Sequence, residues 1–337
     1  MFDRRAVLCA ALPGALFATA SWAAAPADSD ILGAMTDAID SKRIGAGIVA
    51  GIVDAKGRRV LTHGFSDAAD GRALDADTVF DIGSLTKLFT ALALADMVAK
   101  GKMAMAEPLA KYLPREIAVP EFDGKPITLL DLVTYSPGLP EWPLDMPKLS
   151  LAPLPDYPVA RLYAALSGTK LDAAPGSHYV YSNFGYGLLG LALARRADMD
   201  FESLIVSNIC KPLGMDSTRI AITPDMAARV APGHFGPKVE RVTSWQLPVA
   251  FQGAGALRST AHDLLNFLEA AMGKRKTALA PAFATMREIE RPSDKPDTRV
   301  AAGWFLTDGH GDRLVWKDGG LLGYASFLGF SNSGGNG

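Results

Sequence analysis

A serine and a lysine at positions i and i+3 of a helix lie on one face, close enough for the amine to take the hydroxyl proton. Two such pairs occur in this chain, Ser84…Lys87 and Ser167…Lys170. Context separates them. Ser84 follows Phe80-Asp81-Ile82-Gly83, a strand-like end and a glycine, and opens the strongest amphipathic helical pattern in the chain, with a broad apolar face: Leu85, Leu88, Phe89, Leu92, Leu94, Ala95, Val98. A serine there also gains from the positive end of the helix dipole. The lysine serves as base only if burial and a neighbouring positive charge lower its pKa. Ser167 sits instead at a helix end containing Gly168. Read locally, Ser84 is equally an ordinary N-cap beside a solvated lysine.

Acyl transfer also needs proton carriers and donors for an oxyanion. Tyr181-Ser182-Asn183 follows Pro175-Gly176 and precedes the apolar helix from Gly185. Tyr181 in that turn can relay a proton, with its pKa expected to fall near two ammonium groups. Asn183 offers a donor and an acceptor to an amide substrate. Lys317-Asp318-Gly319-Gly320 follows the strand Leu314-Val315-Trp316. Lys317 supplies positive charge, and Gly319 and Gly320 let backbone N–H groups approach a ligand. Each motif taken alone has a plain structural reading: core aromatic and cap, or hairpin turn with solvated lysine.

Other chemistries are poorly supported. The nearest approach to a Gly-x-Ser-x-Gly elbow, Gly64-Phe65-Ser66-Asp67-Ala68, fails at its last position. His63, His178, His234, His262 and His310 are scattered without metal-ligand spacing, so neither metal nor cofactor is expected. His234-Phe235-Gly236 imitates a Lys-x-Gly motif but lacks a strand before it. Cys210 reads as a small buried hydrophobe rather than a nucleophile.

The elements that must position these groups follow from periodicity. Residues 47–53 and 59–62 around Asp54-Ala55-Lys56-Gly57 read as a β-hairpin. Helical patterns begin at Thr128, Gly185, Phe201 and Ser259-Thr260, and strands return at Gly303–Leu306, Leu314–Trp316 and Ala325–Phe330. The fold class is therefore α/β of the α+β type: an antiparallel sheet built from both chain ends, flanked by helices, with a mainly helical lobe inserted. The sheet lobe takes residues 30–100 and 250–337, the helical lobe 101–249. Of 337 residues, 49% are hydrophobic and 21% charged, with net charge -2, which gives a nucleic-acid partner no basic face. Residues 1–25 read as an export signal, with adjacent arginines that hint at the twin-arginine route: Arg4-Arg5, an apolar run from Ala6 to Ala18, then Ser21-Trp22-Ala23-Ala24-Ala25. No later stretch is long and apolar enough to span a bilayer. A periplasmic or secreted protein acting on a small molecule or cell-wall peptide fits these properties.

The order Ser-x-x-Lys, Tyr-x-Asn, Lys-x-Gly resembles the serine β-lactamase and penicillin-binding-protein superfamily, most closely its class C branch, which also holds D-Ala-D-Ala peptidases and esterases. Phe80–Thr90, Leu132–Pro140, Lys211–Met215 and Gly255–Leu264 are similar to further segments of that branch. The resemblance covers roughly residues 30–335. It implies that Ser84 attacks the substrate carbonyl, Lys87 and Tyr181 share acid and base duties, and Asn183 holds the acyl amide. It implies that Lys317 biases Tyr181 and attracts a substrate carboxylate, with the N–H groups of Ser84 and Gly320 as the oxyanion hole. The activity implied is hydrolysis of a β-lactam or D-Ala-D-Ala amide; a carboxylesterase and a penicillin-binding sensor without turnover are the alternatives. Three departures bear on this. Asp318 stands where β-lactamases carry threonine, and an acid there repels a substrate carboxylate. Tyr135 and Pro137 alter a loop that is often His-x-Ser-Gly-Leu-Pro. The chain stops at Gly337, where the resemblance implies another strand and a terminal helix, so the expectation is a bare sheet edge and poor stability, or a truncated gene.

Overall fold

Glycine and β-branched residues alternate from Gly47, and the backbone pairs accordingly in the computed structural model, which describes residues 26–331 except 68, 70, 148, 149, 153, 310 and 311. The segment read as an export signal lies outside the described residues. Strand β1 (Gly47–Asp54) folds back on β2 (Gly57–Gly64) in register Asp54↔Gly57 to Gly47↔Gly64, with Gly57 at φ +99° making the turn. Strand β3 (Phe80–Asp81) leads to one 3-10 turn, Gly83–Leu85, and then to helix α2 (Thr86–Ala99); helix α1 (Asp28–Thr36) precedes the hairpin. Helices of five or more residues follow as α3 (Leu129–Val133), α4 (Val159–Gly168), α5 (Asn183–Ala197), α6 (Phe201–Ile205), α7 (Ala261–Ala271) and α8 (Ala280–Thr285).

Caps explain where the central helices begin. Thr128 and Asp131 form a capping box on α3, Ser182 Oγ accepts from Gly185 N at α5, and Thr260 Oγ1 accepts from Asp263 N at α7. Two short ladders, β4 (Glu121–Phe122) with β5 (Lys125–Pro126) and β6 (Gly233–Phe235) with β7 (Glu240–Val242), lie along the chain. Strand β8 (Arg258–Ser259) pairs antiparallel with β3. The last strands, β9 (Arg291–Pro292), β10 (Thr298–Val300), β11 (Phe305–Gly309), β12 (Asp312–Leu321) and β13 (Tyr324–Ser331), form one antiparallel sheet ordered β13-β12-β11-β10-β9.

The mixed α/β class, antiparallel with helices between the strands of the two ends, is as the sequence led one to expect. The ladders add a correction of detail: among the described residues the N-terminal hairpin and the C-terminal strands are separate sheets. Each ladder is closed by its own short turn, and both sheets rest on α7, where Gly51 of β1 meets Leu265 closely enough that a Cβ would sit 2.9 Å from its side chain. Helix α2 runs through the middle of the core. Every residue from Thr86 to Met97 is buried, Lys87, Thr90 and Asp96 included, so this helix has almost no solvent face, a correction to the amphipathic helix expected from the sequence.

Candidate active site

The glycines around Ser84 let two backbones touch. Gly83 adopts φ +50°, in the left-handed region that glycine tolerates. A Cβ on Gly83 would lie 2.6 Å from Gly320 O and 2.9 Å from Gly320 N, and one on Gly319 would lie 2.2 Å from Ile82 O and 2.9 Å from Leu85 N. Strand β12 therefore passes the turn carrying Ser84 at backbone contact, bringing the Gly320 backbone beside it. Ser326 Oγ on β13 also donates to Ile82 O at 2.8 Å.

Lys87, one turn on, is fully buried. Its Nζ lies 3.1 Å from Ser84 Oγ, 2.7 Å from Asn183 Oδ1 and 2.7 Å from Ala254 O. Burial holds its pKa well below the ordinary lysine range, Lys317 pushes it further down, and Asp318 and Glu141 pull against both. A neutral amine has two N–H groups and one lone pair. In the neutral form the Asn183 and Ala254 oxygens can take the two hydrogens and leave the lone pair facing the Ser84 hydroxyl; in the ammonium form Nζ donates to all three oxygens. Lys87 is not solvated, and among the described residues no side chain caps the turn or the helix, so the reading of Ser84 as an N-cap beside a solvated lysine gives way.

Tyr181 has both lysine nitrogens over its ring, with Lys87 Nζ 4.8 Å and Lys317 Nζ 5.2 Å from the centroid. Its pKa moves opposite to the expectation from sequence. Burial pushes the phenol well above its usual range, and a hydrogen bond with Ser84 opposes that only in part. The lysine nitrogens lie over the ring, and the loss of water decides the sign. Behind it lies Tyr135, stacked at 5.1 Å between centroids and held at φ +55°.

Lys317 is buried too, and its pKa is lowered by burial against the pull of Asp318. Its ammonium is turned to its own neighbour, donating to Asp318 O at 2.7 Å and Asp318 Oδ1 at 2.9 Å. Burial works to raise the Asp318 carboxyl, but Lys317 outweighs it and holds it below the usual range.

All seven residues singled out from the sequence, Ser84, Lys87, Tyr181, Asn183, Lys317, Gly319 and Gly320, come from three distant segments and meet here. The rival pair does not. Ser167 and Lys170 are exposed. Cys210 is buried, with its thiol pushed up by desolvation, and no group of His, Cys, Asp or Glu among the described residues could hold a metal. Two participants were not foreseen. The Ala254 carbonyl is one, and no residue type announces a carbonyl. Glu141 is the other: its Oε1 accepts from Asn183 Nδ2 at 3.5 Å, its backbone O accepts from Phe184 N at 3.0 Å, and burial raises its carboxyl pKa while Lys87 and Trp142 oppose the rise. Its position directly after Gly138-Leu139-Pro140 was the available signal.

Comparison with known proteins agrees with this geometry. The family model described as Beta-lactamase matches residues 34–337. The D-alanyl-D-alanine-carboxypeptidase/endopeptidase AmpH of Escherichia coli K12 is 30% identical over 266 residues, spanning 78% of this chain and 67% of that protein. A β-lactamase of Pseudomonas fluorescens is 25% identical over 81% of this chain and 69% of its own length. Among solved structures, a β-lactamase/D-alanine carboxypeptidase from Yersinia pestis superimposes with TM-score 0.76 at 22% identity, covering 92% of both chains. The D-alanine carboxypeptidase AmpC from Burkholderia cenocepacia gives TM-score 0.76 at 24% identity over 90% of both. The chain belongs to the Beta-lactamase family, within the superfamily of serine β-lactamases and penicillin-binding proteins.

Proposed function

We propose that this chain is a serine hydrolase that forms an acyl-enzyme on Ser84 and cleaves a β-lactam or D-alanyl peptide amide. One observation carries the assignment of roles: the buried Lys87 amine sits 3.1 Å from Ser84 Oγ with its two N–H groups already committed. Ser84 Oγ attacks the carbonyl carbon and its proton passes to Lys87 Nζ. The resulting ammonium has three donors for the same three oxygens. The Ser84 and Gly320 N–H groups receive the oxyanion, and Asn183 Nδ2 is available to the acyl amide. As the C–N bond breaks, Tyr181 gives its proton to the departing nitrogen and takes one from Lys87, so the serine proton leaves with the amine. Water then attacks the ester and the route runs in reverse. A phenol raised by burial is suited to donate rather than to start the reaction as phenolate, which favours Lys87 as the acylation base. Lys317 contributes its charge to depressing Lys87.

A second reading, a carboxylesterase on the same residues, is favoured by the Lys317–Asp318 pairing, which removes the charge that would hold a substrate carboxylate. We also infer export, on the Arg4-Arg5 and apolar pattern at the N-terminus, and a division into a sheet lobe (30–100, 250–337) and a helical lobe (101–249) that meet at the site. No helix among the described residues is long and apolar enough to cross a membrane.

The test is to incubate the protein with a fluorescent penicillin, a chromogenic cephalosporin and a short p-nitrophenyl ester. Rapid cephalosporin turnover marks a β-lactamase, persistent label a peptidase or a sensor, and ester turnover alone an esterase. Mass spectrometry should place the label on Ser84. Activity surviving in Ser84→Ala would refute the assignment.

A further inference from the structure

Two acids stand where the substrate must lie. Asp318 is a third exposed at its side chain, whereas its partner Lys317 is 1% exposed. The Lys317 ammonium has its near hemisphere filled: Asp318 O and Oδ1 accept from it at 2.7 and 2.9 Å, and the faces of Tyr181 and Phe305 cover it at 5.2 and 5.0 Å. A carboxylate arriving from the cleft finds two of the three donors of this lysine already taken by Asp318, and meets the charge of the Asp318 carboxylate beside it. The field of Asp318 reaches the reacting groups as well, since it acts on both Lys87 and Tyr181. Glu141, beside Asn183, adds a second carboxylate acting on Lys87. With Lys87 neutral, the site holds one cation, Lys317, already paired.

We propose that Asp318 is a specificity-determining residue that closes Lys317 to substrate carboxylates, so that this enzyme prefers leaving groups carrying no free carboxylate near the scissile bond. The substrate class is then an ester, or an amide whose leaving amine is itself amidated or continues into a peptide, rather than a terminal amino acid. The inference rests on acyl transfer through Ser84, and it narrows that reading to uncharged leaving groups. Two like charges about 5 Å apart at an effective dielectric near 20 discriminate by up to roughly a few hundredfold, and screening by salt lowers this toward tenfold.

The experiment uses two esters of N-phenylacetylglycine that differ only in the leaving phenol, 3-hydroxybenzamide or 3-hydroxybenzoate. The ratio of their kcat/KM values on one preparation cancels the amount of folded enzyme. The expected ratio favours the carboxamide by roughly tenfold or more, falls as salt is raised, and drops by a similar factor in both Asp318→Asn and Asp318→Thr, with the gain for the benzoate seen in KM. Asp318→Asn keeps the shape and an acceptor for Lys317, so its effect reports charge. A ratio near one or favouring the benzoate in the unaltered protein, or a ratio unmoved in both variants, overturns the proposal. Hydrolysis of both esters by Ser84→Ala overturns the acyl-serine reading, and the proposal with it.

Discussion

Lys87 and Lys317 share one buried site, and the charge of the second is part of what keeps the first neutral. A base must be unprotonated, so kcat/KM should rise with pH through the lowered pKa of Lys87 and level off above it. Replacing Lys317 by methionine removes the repulsion and frees the Asp318 carboxylate, and both changes favour the Lys87 ammonium. The acid limb of the profile should therefore shift to higher pH in Lys317→Met, measured on a neutral ester so that substrate binding does not depend on the lost charge. A limb that stays put or moves to lower pH would refute the coupling. Tyr135 offers a different reading at the same scale. It is fully buried, its hydroxyl finds no hydrogen-bond partner of good geometry among the described residues, and the adjacent Tyr186 already donates to Val133 O at 2.8 Å. An unsatisfied buried hydroxyl costs about 1–3 kcal/mol. Tyr135→Phe keeps the stacking on Tyr181 and should leave the melting temperature unchanged or higher, whereas a clear drop would mean that the hydroxyl is held.

Strand β12 and the turn before α2 interlock through glycines, and the two glycines of Lys317-Asp318-Gly319-Gly320 are not equivalent. A methyl group on Gly319 would meet the Ile82 and Leu85 backbones, whereas one on Gly320 meets nothing within 4 Å. Gly319→Ala must push the strand from the turn and should lower stability by about 1–3 kcal/mol, in the range of overpacking. Gly320→Ala should change it by about 0.5 kcal/mol at most, since nothing has to move. Chemical denaturation of the two variants decides the matter. Both glycines were read in the sequence as letting backbone N–H groups approach a ligand; that Gly319 meets the turn before α2 was not legible, because a two-residue pleat gives no sign of which face meets a neighbour. The same limit applies elsewhere. Ser84, Lys87, Tyr181 and Asn183 could be read because each belongs to a short local motif beside a helix start. The Ala254 carbonyl and Glu141 owe their places to contacts across long stretches of chain. Ala254 is delivered where Gly253 packs against α5, so closely that a Cβ would lie 2.6 Å from Tyr186 O. The Lys317–Asp318 pairing is a rotamer choice, invisible in a pattern of residue types. The hairpin and the final strands were legible too, but their separation into two sheets depends on α7 beneath them.

The N-terminal segment that leads into Ser84 is held in place by the C-terminal half of the chain. Ladder pairs Phe80↔Ser259 and Asp81↔Arg258 join β3 to β8, and Ile82 N donates to Leu257 O at 3.0 Å. At this seam Arg258 Nε meets Asp81 Oδ1 at 2.7 Å with both side chains buried, Arg258 also donates to Gln246 Oε1 at 2.9 Å, and Ser244 Oγ donates to Asp81. Burial raises the Asp81 carboxyl pKa even with Arg258 and Ser244 opposing the rise. Arg258→Met should therefore strand a carboxylate in the interior and cost about 3–5 kcal/mol near neutral pH. The pH dependence carries a definite sign. Without the arginine the folded-state pKa of Asp81 climbs further above its unfolded value, so between the two values the folded state holds the extra proton. Stability from this group is then lost as pH rises through that window and regained as pH falls. The deficit of Arg258→Met relative to the unaltered protein should shrink from neutral to mildly acid conditions, as followed by urea melts at the two pH values. It should also be largely relieved by adding Asp81→Asn, which keeps the Ser244 bond without the charge. Labelling of Ser84 by a penicillin or an ester should disappear along the same denaturation curve as core tryptophan fluorescence, because the turn that aims the serine is held by this seam together with β12 and β13. A deficit constant across pH, or labelling lost well before the core melts, would show that the seam does not hold the nucleophile in place.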